Sequence, residues 1–177
     1  LSSKAGEGKS TTMKNFALEL KSKYPWKWIQ EVDLKKNHDP FKIGDKLNLN
    51  KNKELTNFLA NHLLNLNDFD REVFKELFKN DQVIFLWDGA DEIFPHFEVF
   101  MMNLAKNILE LTENWQFIAT REEYSNGFCN HLNTKAYKLN QLDEDERFEF
   151  LMKDIAASMF QLDTKTFYKK FKSFQKV

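Results

Sequence analysis

A segment near the start of the chain has the residue types and the spacing of a phosphate-binding loop. Residues 3–10 (SKAGEGKS) match the Walker A pattern G-x-x-x-x-G-K-[ST] at every defined position except the first, where Ser3 replaces glycine. Glycines let backbone N–H groups curl around phosphate oxygens, and the following helix adds partial positive charge at its N-terminus. We therefore expect phosphate contacts from Ala5, Gly6, Glu7, Gly8, Lys9, Ser10 and Thr11.

Two side chains of this loop have separate predicted roles. Lys9 would reach the β- and γ-phosphates of ATP, and the Ser10 hydroxyl would bind Mg²⁺. One ion pair at about 4 Å contributes about 4 kcal/mol at an effective dielectric constant near 20, so losing Lys9 should weaken binding severely. The alternative is a chance Gly-Lys-Ser sequence at a turn before a helix. Because Ser3 occupies a position where the pattern has glycine, its backbone must avoid a positive φ angle or tolerate strain.

An acidic group follows a strongly apolar segment later in the chain. Residues 83–87 (VIFLW) predict a strand buried on both faces, and Asp88 comes directly after it. Ligands of open α/β sheets bind at the carboxyl ends of strands, so Asp88 would lie near Ser10 and hold Mg²⁺. Asp91 or Glu92 could orient or polarise the attacking water, because phosphoryl transfer needs mainly positioning and electrostatics. The alternative is an ordinary solvated acidic turn.

Three segments together resemble the NACHT-domain NTPases. Residues 88–92 (DGADE) are similar to the extended Walker B motif D-G-x-D-E of that family, which is the specific part of the resemblance. Residues 4–10 are similar to its A-G-x-G-K-[ST] loop, and residues 117–121 (FIATR) to its sensor strand, which ends in Thr/Ser-Arg. The resemblance extends in order over roughly residues 1–142.

The resemblance implies a function as well as a fold. NACHT proteins are signal-transducing ATPases, among them NOD-like receptors of innate immunity, and they hold ADP, exchange it for ATP and oligomerise. By position Arg121 would sense the γ-phosphate; the alternative is a surface arginine after a strand. The expected activity is slow ATP hydrolysis that drives a conformational switch, with homo-oligomerisation in the full-length protein. The competing hypotheses are a constitutive P-loop ATPase, either a helicase-like motor or a small-molecule kinase, and a binding module without hydrolysis.

The pattern of apolar residues predicts the elements that position these groups. Strand and helix signals alternate along the chain, which favours an α/β fold with a parallel sheet, here a three-layer P-loop NTPase. Because the chain opens at Leu1, the strand that normally precedes the loop is expected to be missing. Residues 1–141 would form the nucleotide-binding domain and 142–177 the start of a helical subdomain. Strands are predicted at 28–34, 83–87, 115–120 and 136–139, and helices at 11–24, 55–66, 73–78, 97–111 and from 143 onward.

Composition narrows the possible partners. The formal net charge is -1, so no overall basic field favours nucleic acid or an anionic membrane, and no apolar run approaches membrane-spanning length. Cys129 is the single cysteine, which fits a reducing, cytoplasmic location. The 18 phenylalanines predict a Phe-rich core. The partner expected from sequence is therefore a nucleotide, with no membrane and no nucleic acid.

Overall fold

The structure is a computed structural model that describes residues 1–4, 8–35 and 38–139, together with Glu146. The chain divides into two units, Leu1–Leu139 and Asn140–Val177. All the helices and strands reported below belong to the first unit. The helical subdomain predicted from Leu142 lies outside the described residues, apart from Glu146.

The strands of the first unit pair in parallel throughout its described residues. The strands are β1 (Ser2–Ser3), β2 (Trp28–Asp33), β3 (Val83–Asp88), β4 (Trp115–Ile118) and β5 (Thr120–Arg121). Strand β3 lies between β2 and β4, and β1 pairs with β5. Ala119 separates β4 from β5 and donates its N–H to the Trp87 carbonyl at 2.8 Å, so the backbone stays bonded to β3 there. The predicted α/β class with a parallel sheet is confirmed.

The prediction that no strand precedes the loop is wrong in part. Ser2 and Ser3 form β1 and pair in register with Thr120 and Arg121. Ser3 is fully buried, and its φ angle is not positive, so serine occupies the first loop position without backbone strain. The last strand, predicted at 136–139, is only a single parallel bridge between Ser2 and Lys138, because few backbone bonds form there.

Helices connect the strands, and most of them lie near their predicted positions. Helix α3 (Asn52–Asn57) continues directly into a π-helical segment, Phe58–Leu63. None of the helices in the described residues is both long enough and apolar enough to cross a membrane. The α-helices are α1 (Lys9–Lys23), α2 (His38–Gly44), α3 (Asn52–Asn57), α4 (Asp68–Lys79), α5 (Ala90–Leu111) and α6 (Glu122–Leu132).

Two helices differ from the sequence-based expectation. Helix α5 begins at Ala90, not at Phe97, because Gly89 adopts a left-handed conformation (φ 79°) that starts the helix at once. Pro95 lies inside this helix, and the backbone leaves helical geometry at Phe97, where the predicted start had been placed. Helix α6 was not predicted, since Phe128 is its only buried side chain and the apolar pattern is correspondingly weak.

The side chains of β3 alternate between two apolar clusters, one on each face of the sheet. Phe85 and Trp87 belong to the larger cluster, which includes side chains of α4 and α5. Ile84 and Leu86 belong to the smaller cluster, with Met13 and other side chains of α1. Helices thus cover both faces of β3, which explains why the strand is apolar without alternation. This packing fixes the position of the strand end at Asp88.

A buried amide joins the entry of β4 to the entry of β3. Asn114 is almost fully buried; its Oδ1 accepts the Val83 N–H at 2.8 Å, and its Nδ2 donates to the Phe78 carbonyl at 2.7 Å. The side chain therefore satisfies two backbone groups that water cannot reach. It also holds the end of α4 and the start of β3 together.

We expect Asn114→Ala to lower the free energy of unfolding by about 2 kcal/mol, because the buried Val83 N–H loses its acceptor. Denaturant unfolding followed by circular dichroism measures the change. Asn80→Ala is the control, since the exposed Asn80 amide donates to the Glu76 carbonyl within its own helix, and it should change stability by less than about 0.5 kcal/mol. Equal effects of the two variants would contradict the role of Asn114.

Candidate functional site

Residues from four separate segments surround one cavity at the carboxyl end of β3. Its volume is about 310 Å³, at the lower end of the range for small-molecule sites. Among the predicted site residues, Ala5, Gly6 and Glu7 lie outside the described residues. The cavity is lined by Gly8, Lys9, Ser10, Thr11, Asp88, Asp91, Glu92 and Arg121, which were all predicted, and by Lys35 and Gly89.

The N-terminus of α1 opens toward this cavity, and no side chain of the described residues caps it. Gly8 occupies the cap position in a left-handed conformation (φ 83°), which favours glycine and provides no side-chain acceptor. The first turn contains no acidic residue. Within the described residues the leading N–H groups of the helix, including that of Lys9, therefore have no capping side chain, and they carry the positive end of the helix dipole. An anion is the natural ligand for such a helix end.

The Lys9 ammonium donates hydrogen bonds to carbonyl groups of its own loop. Its Nζ donates to the carbonyl oxygen of Ser3 at 3.4 Å and to that of Lys4 at 3.2 Å. Both acceptors are neutral, so a phosphate oxygen would offer the ammonium a stronger, charge-assisted hydrogen bond. The lysine lies on the cavity wall and can make this exchange with small movements of its side chain.

The end of β3 brings carboxylates to the opposite wall. Asp88 is the last residue of the strand, and no cation of the described residues forms an ion pair with it. Asp91 and Glu92 lie in the first turn of α5. Carboxylates in that position are stabilised by the helix dipole. Gly89 allows this arrangement because only its left-handed backbone separates strand from helix.

Asp91, which is buried, forms an ion pair with the half-buried Arg121. The Arg121 Nε lies 2.8 Å from Asp91 Oδ2 but makes no well-directed hydrogen bond, so charge rather than hydrogen-bond geometry holds the contact. Asp91 Oδ1 is buried and has no hydrogen-bond partner among the described residues. The Arg121 Nη1 is also 3.9 Å from Glu123 Oε1. Arg121 therefore sits between two carboxylates.

Lys35 is a cavity residue that the sequence interpretation missed. Its Nζ lies 3.3 Å from Glu92 Oε1, and its backbone N–H donates to the Asp33 carboxylate at 3.1 Å. Asp33 ends β2 and lies beside Asp88 in the parallel register, so the segment after β2 reaches the same edge of the sheet. A search for basic residues just beyond the carboxyl end of each predicted strand could have found Lys35.

The donor set suits a magnesium-bound phosphate better than a metal held by protein alone. The described residues contain no group of three or more His, Cys, Asp or Glu side chains arranged to hold a metal ion. Mg²⁺ commonly uses only one or two carboxylates together with phosphate oxygens and water. Ser10 and Asp88 could supply a hydroxyl and a carboxylate in this way, and the uncapped end of α1 could bind the phosphates.

No protein-family model, curated protein or solved structure matches this chain. The resemblance to NACHT NTPases therefore stays a prediction that rests on the three motifs themselves. What the structure adds is the placement of the motifs: residues from all three line one cavity.

Proposed function

We propose that the chain is a P-loop NTPase domain that binds ATP or ADP with Mg²⁺ and works as a NACHT-type conformational switch. The observation that carries this proposal is that Lys9, at the N-terminus of α1, and Asp88, at the carboxyl end of β3, line the same cavity. A phosphate-binding helix end beside a carboxylate suited to Mg²⁺ is what a magnesium nucleotide requires. If the Gly-Lys-Ser turn and the acidic turn were unrelated, they would not be expected to line the same cavity.

The roles of the binding residues follow from their positions. Lys9 would leave the carbonyls of Ser3 and Lys4 and contact the β- and γ-phosphates, while the leading N–H groups of α1 bind phosphate oxygens. Ser10 and Asp88 would hold Mg²⁺. When bound, the metal ion neutralises charge that develops on the phosphates during transfer.

The two acids of α5 would have different roles in hydrolysis. Asp91 is buried and forms an ion pair with Arg121, so it is suited to positioning the arginine rather than to orienting the attacking water. Glu92 is exposed and faces the cavity, where its carboxylate could orient the attacking water. Its ion pair with Lys35 would restrain that carboxylate while no triphosphate is bound. Slow turnover suits a switch, which needs a long-lived ATP state.

A switch also requires contacts that differ between its ATP and ADP states. The γ-phosphate is the only chemical difference between the two ligands, so it must change the contacts of charged cavity residues. Signalling of the innate-immune type and homo-oligomerisation of the full-length protein belong to the same proposal. Both would follow from a shift in conformation that the nucleotide controls.

Titration calorimetry with ATP and with ADP, each with Mg²⁺, tests this proposal on the 177-residue chain. We expect both nucleotides to bind and the purified protein to carry ADP. Turnover should be slow, below about 1 per second, the lower end of the usual enzyme range. It should not rise when DNA or a small-molecule acceptor is added. Strong stimulation by either would favour a motor or a kinase, and the absence of nucleotide binding would refute the proposal.

A further inference from the structure

The two ion pairs of the cavity differ in how far their side chains are exposed to water. In the Arg121–Asp91 pair the side chains are 43% and 5% exposed, and in the Lys35–Glu92 pair they are 52% and 40% exposed. Separating a pair that contains a buried carboxylate leaves an uncompensated charge away from water, whereas an exposed pair contributes little. The Lys35–Glu92 pair is therefore the one that a charged ligand can open.

We propose that Lys35, rather than Arg121, is the cation that recognises the terminal phosphate of a bound nucleoside triphosphate. The Lys35 ammonium would break its ion pair with the Glu92 carboxylate and form one with a γ-phosphate oxygen instead. This inference rests on the proposed function, because it assumes that a nucleotide occupies the cavity. It assigns the discrimination between triphosphate and diphosphate to a residue that follows β2, outside all three sequence motifs.

The position of the Lys35 stem supports this role. A Cβ atom built on Gly89 would lie 3.2 Å from Lys35 Cγ and 3.4 Å from Lys35 Cε, so the aliphatic stem passes over the turn between β3 and α5. Glycine at this turn leaves room for the stem. The four-carbon side chain of lysine is flexible, and its ammonium carries three donors that can change partner by rotation. The ammonium can therefore move from Glu92 to a phosphate without movement of the backbone.

Arg121 is poorly suited to the same exchange. It lies against Asp91 and also within 3.9 Å of Glu123. Asp91 Oδ1 already lacks a hydrogen-bond partner among the described residues, so departure of the arginine would leave the buried carboxylate with neither charge nor hydrogen-bond compensation. We therefore assign Arg121 as a positioning residue that holds Asp91 and the first turn of α5.

The exchange would connect recognition of the γ-phosphate to the catalytic acid. While Lys35 stays on Glu92, the carboxylate is held by an ion pair. When a triphosphate draws Lys35 away, Glu92 loses that partner and becomes free to orient water. A diphosphate lacks the terminal group and leaves the pair closed. The same two residues would thus report which nucleotide is bound.

The test compares dissociation constants for a fluorescent, non-hydrolysable ATP analogue and for fluorescent ADP, both with Mg²⁺. Lys35→Met keeps the apolar stem and removes the charge; we expect it to weaken triphosphate binding on the order of tenfold and diphosphate binding less than about twofold. Lys35→Arg should preserve the preference for triphosphate. Glu92→Gln removes the competing carboxylate and should strengthen triphosphate binding up to about fivefold.

The double variant separates partner exchange from a general charge effect. Once Lys35→Met is present, Glu92→Gln should have little further influence on triphosphate binding if the two residues act through each other. Arg121→Met should lower the thermal unfolding midpoint and leave the ratio of the two dissociation constants unchanged.

Two outcomes would overturn the assignment of Lys35: Lys35→Met weakens the binding of both nucleotides equally, or it weakens the binding of neither. A ratio of dissociation constants that changes only in Arg121→Met would then assign the discrimination to Arg121. Each leaves the proposed function intact, because the wild-type chain still binds. If the wild-type chain binds neither nucleotide, the proposed function fails and this inference fails with it. Lys35→Arg and Glu92→Gln give independent readings should Lys35→Met fold poorly.

Discussion

Lys9→Met is expected to reduce the affinity for ATP with Mg²⁺ by about 100- to 1,000-fold. The ion pair between an ammonium and a phosphate oxygen contributes up to about 4 kcal/mol at an effective dielectric constant near 20, and hydration of the separated charges offsets part of it. Methionine keeps most of the aliphatic length, so the variant removes the charge and little packing. Titration calorimetry on the wild-type and variant chains measures the ratio.

Lys14→Met is the matched control, since Lys14 is exposed on α1 and lies outside the cavity. It should bind ATP as the wild type does. Among the described residues the Lys9 ammonium bonds to two carbonyl oxygens of its own loop, at the long distances of 3.2 and 3.4 Å, so Lys9→Met should also unfold at nearly the wild-type temperature. Unchanged ATP affinity in a folded Lys9→Met protein would show that the cavity is not the phosphate site.

The central strand β3 was predictable because a strand buried on both faces has a continuous run of apolar residues in the sequence. Residues 83–87 are all buried, and a strand covered on both faces needs apolar side chains at every position. Helix α1 was predictable for a related reason. Its buried residues Met13, Ala17 and Leu20 recur at helical spacing, and the glycine before Lys9 marks its start.

The start of α5 and the whole of α6 could not be predicted from periodicity. The backbone conformation at Gly89 starts α5, whereas Pro95 interrupts the pattern that a helix would otherwise show. Helix α6 buries little of its surface, and a helix that buries little has no strong apolar stripe. Tertiary contacts decide such elements, and the local sequence carries little information about them.

The division of roles within the cavity also depended on the three-dimensional structure. Asp91 and Glu92 are adjacent acids whose sequence context is the same, yet one is buried against Arg121 and the other is exposed beside Lys35. Successive residues on a helix point about 100° apart, so neighbours in sequence face different surroundings. Lys35 enters the cavity only because β2 pairs with β3 in a register that places Asp33 beside Asp88.

The second large effect concerns the packing that holds β3 in place. Phe85 is fully buried, and its ring contacts the rings of Phe74, Phe78 and Trp87. We expect Phe85→Ala to lower the free energy of unfolding by about 3–5 kcal/mol, because it removes a buried aromatic group and leaves a cavity among rigid rings. Denaturant unfolding monitored by circular dichroism gives the value.

Phe69→Ala makes the same chemical change at an exposed position of α4. It should shift stability by less than about 0.5 kcal/mol, since little apolar surface is lost from the interior and alanine favours a helix. Because β3 delivers Asp88 to the cavity, Phe85→Ala should also weaken ATP binding in proportion to the unfolded fraction, whereas Phe69→Ala should not. Similar stability losses in the two variants would mean that Phe85 does not pack between α4 and the sheet, and the geometry on which the Mg²⁺ site depends would then lose its support.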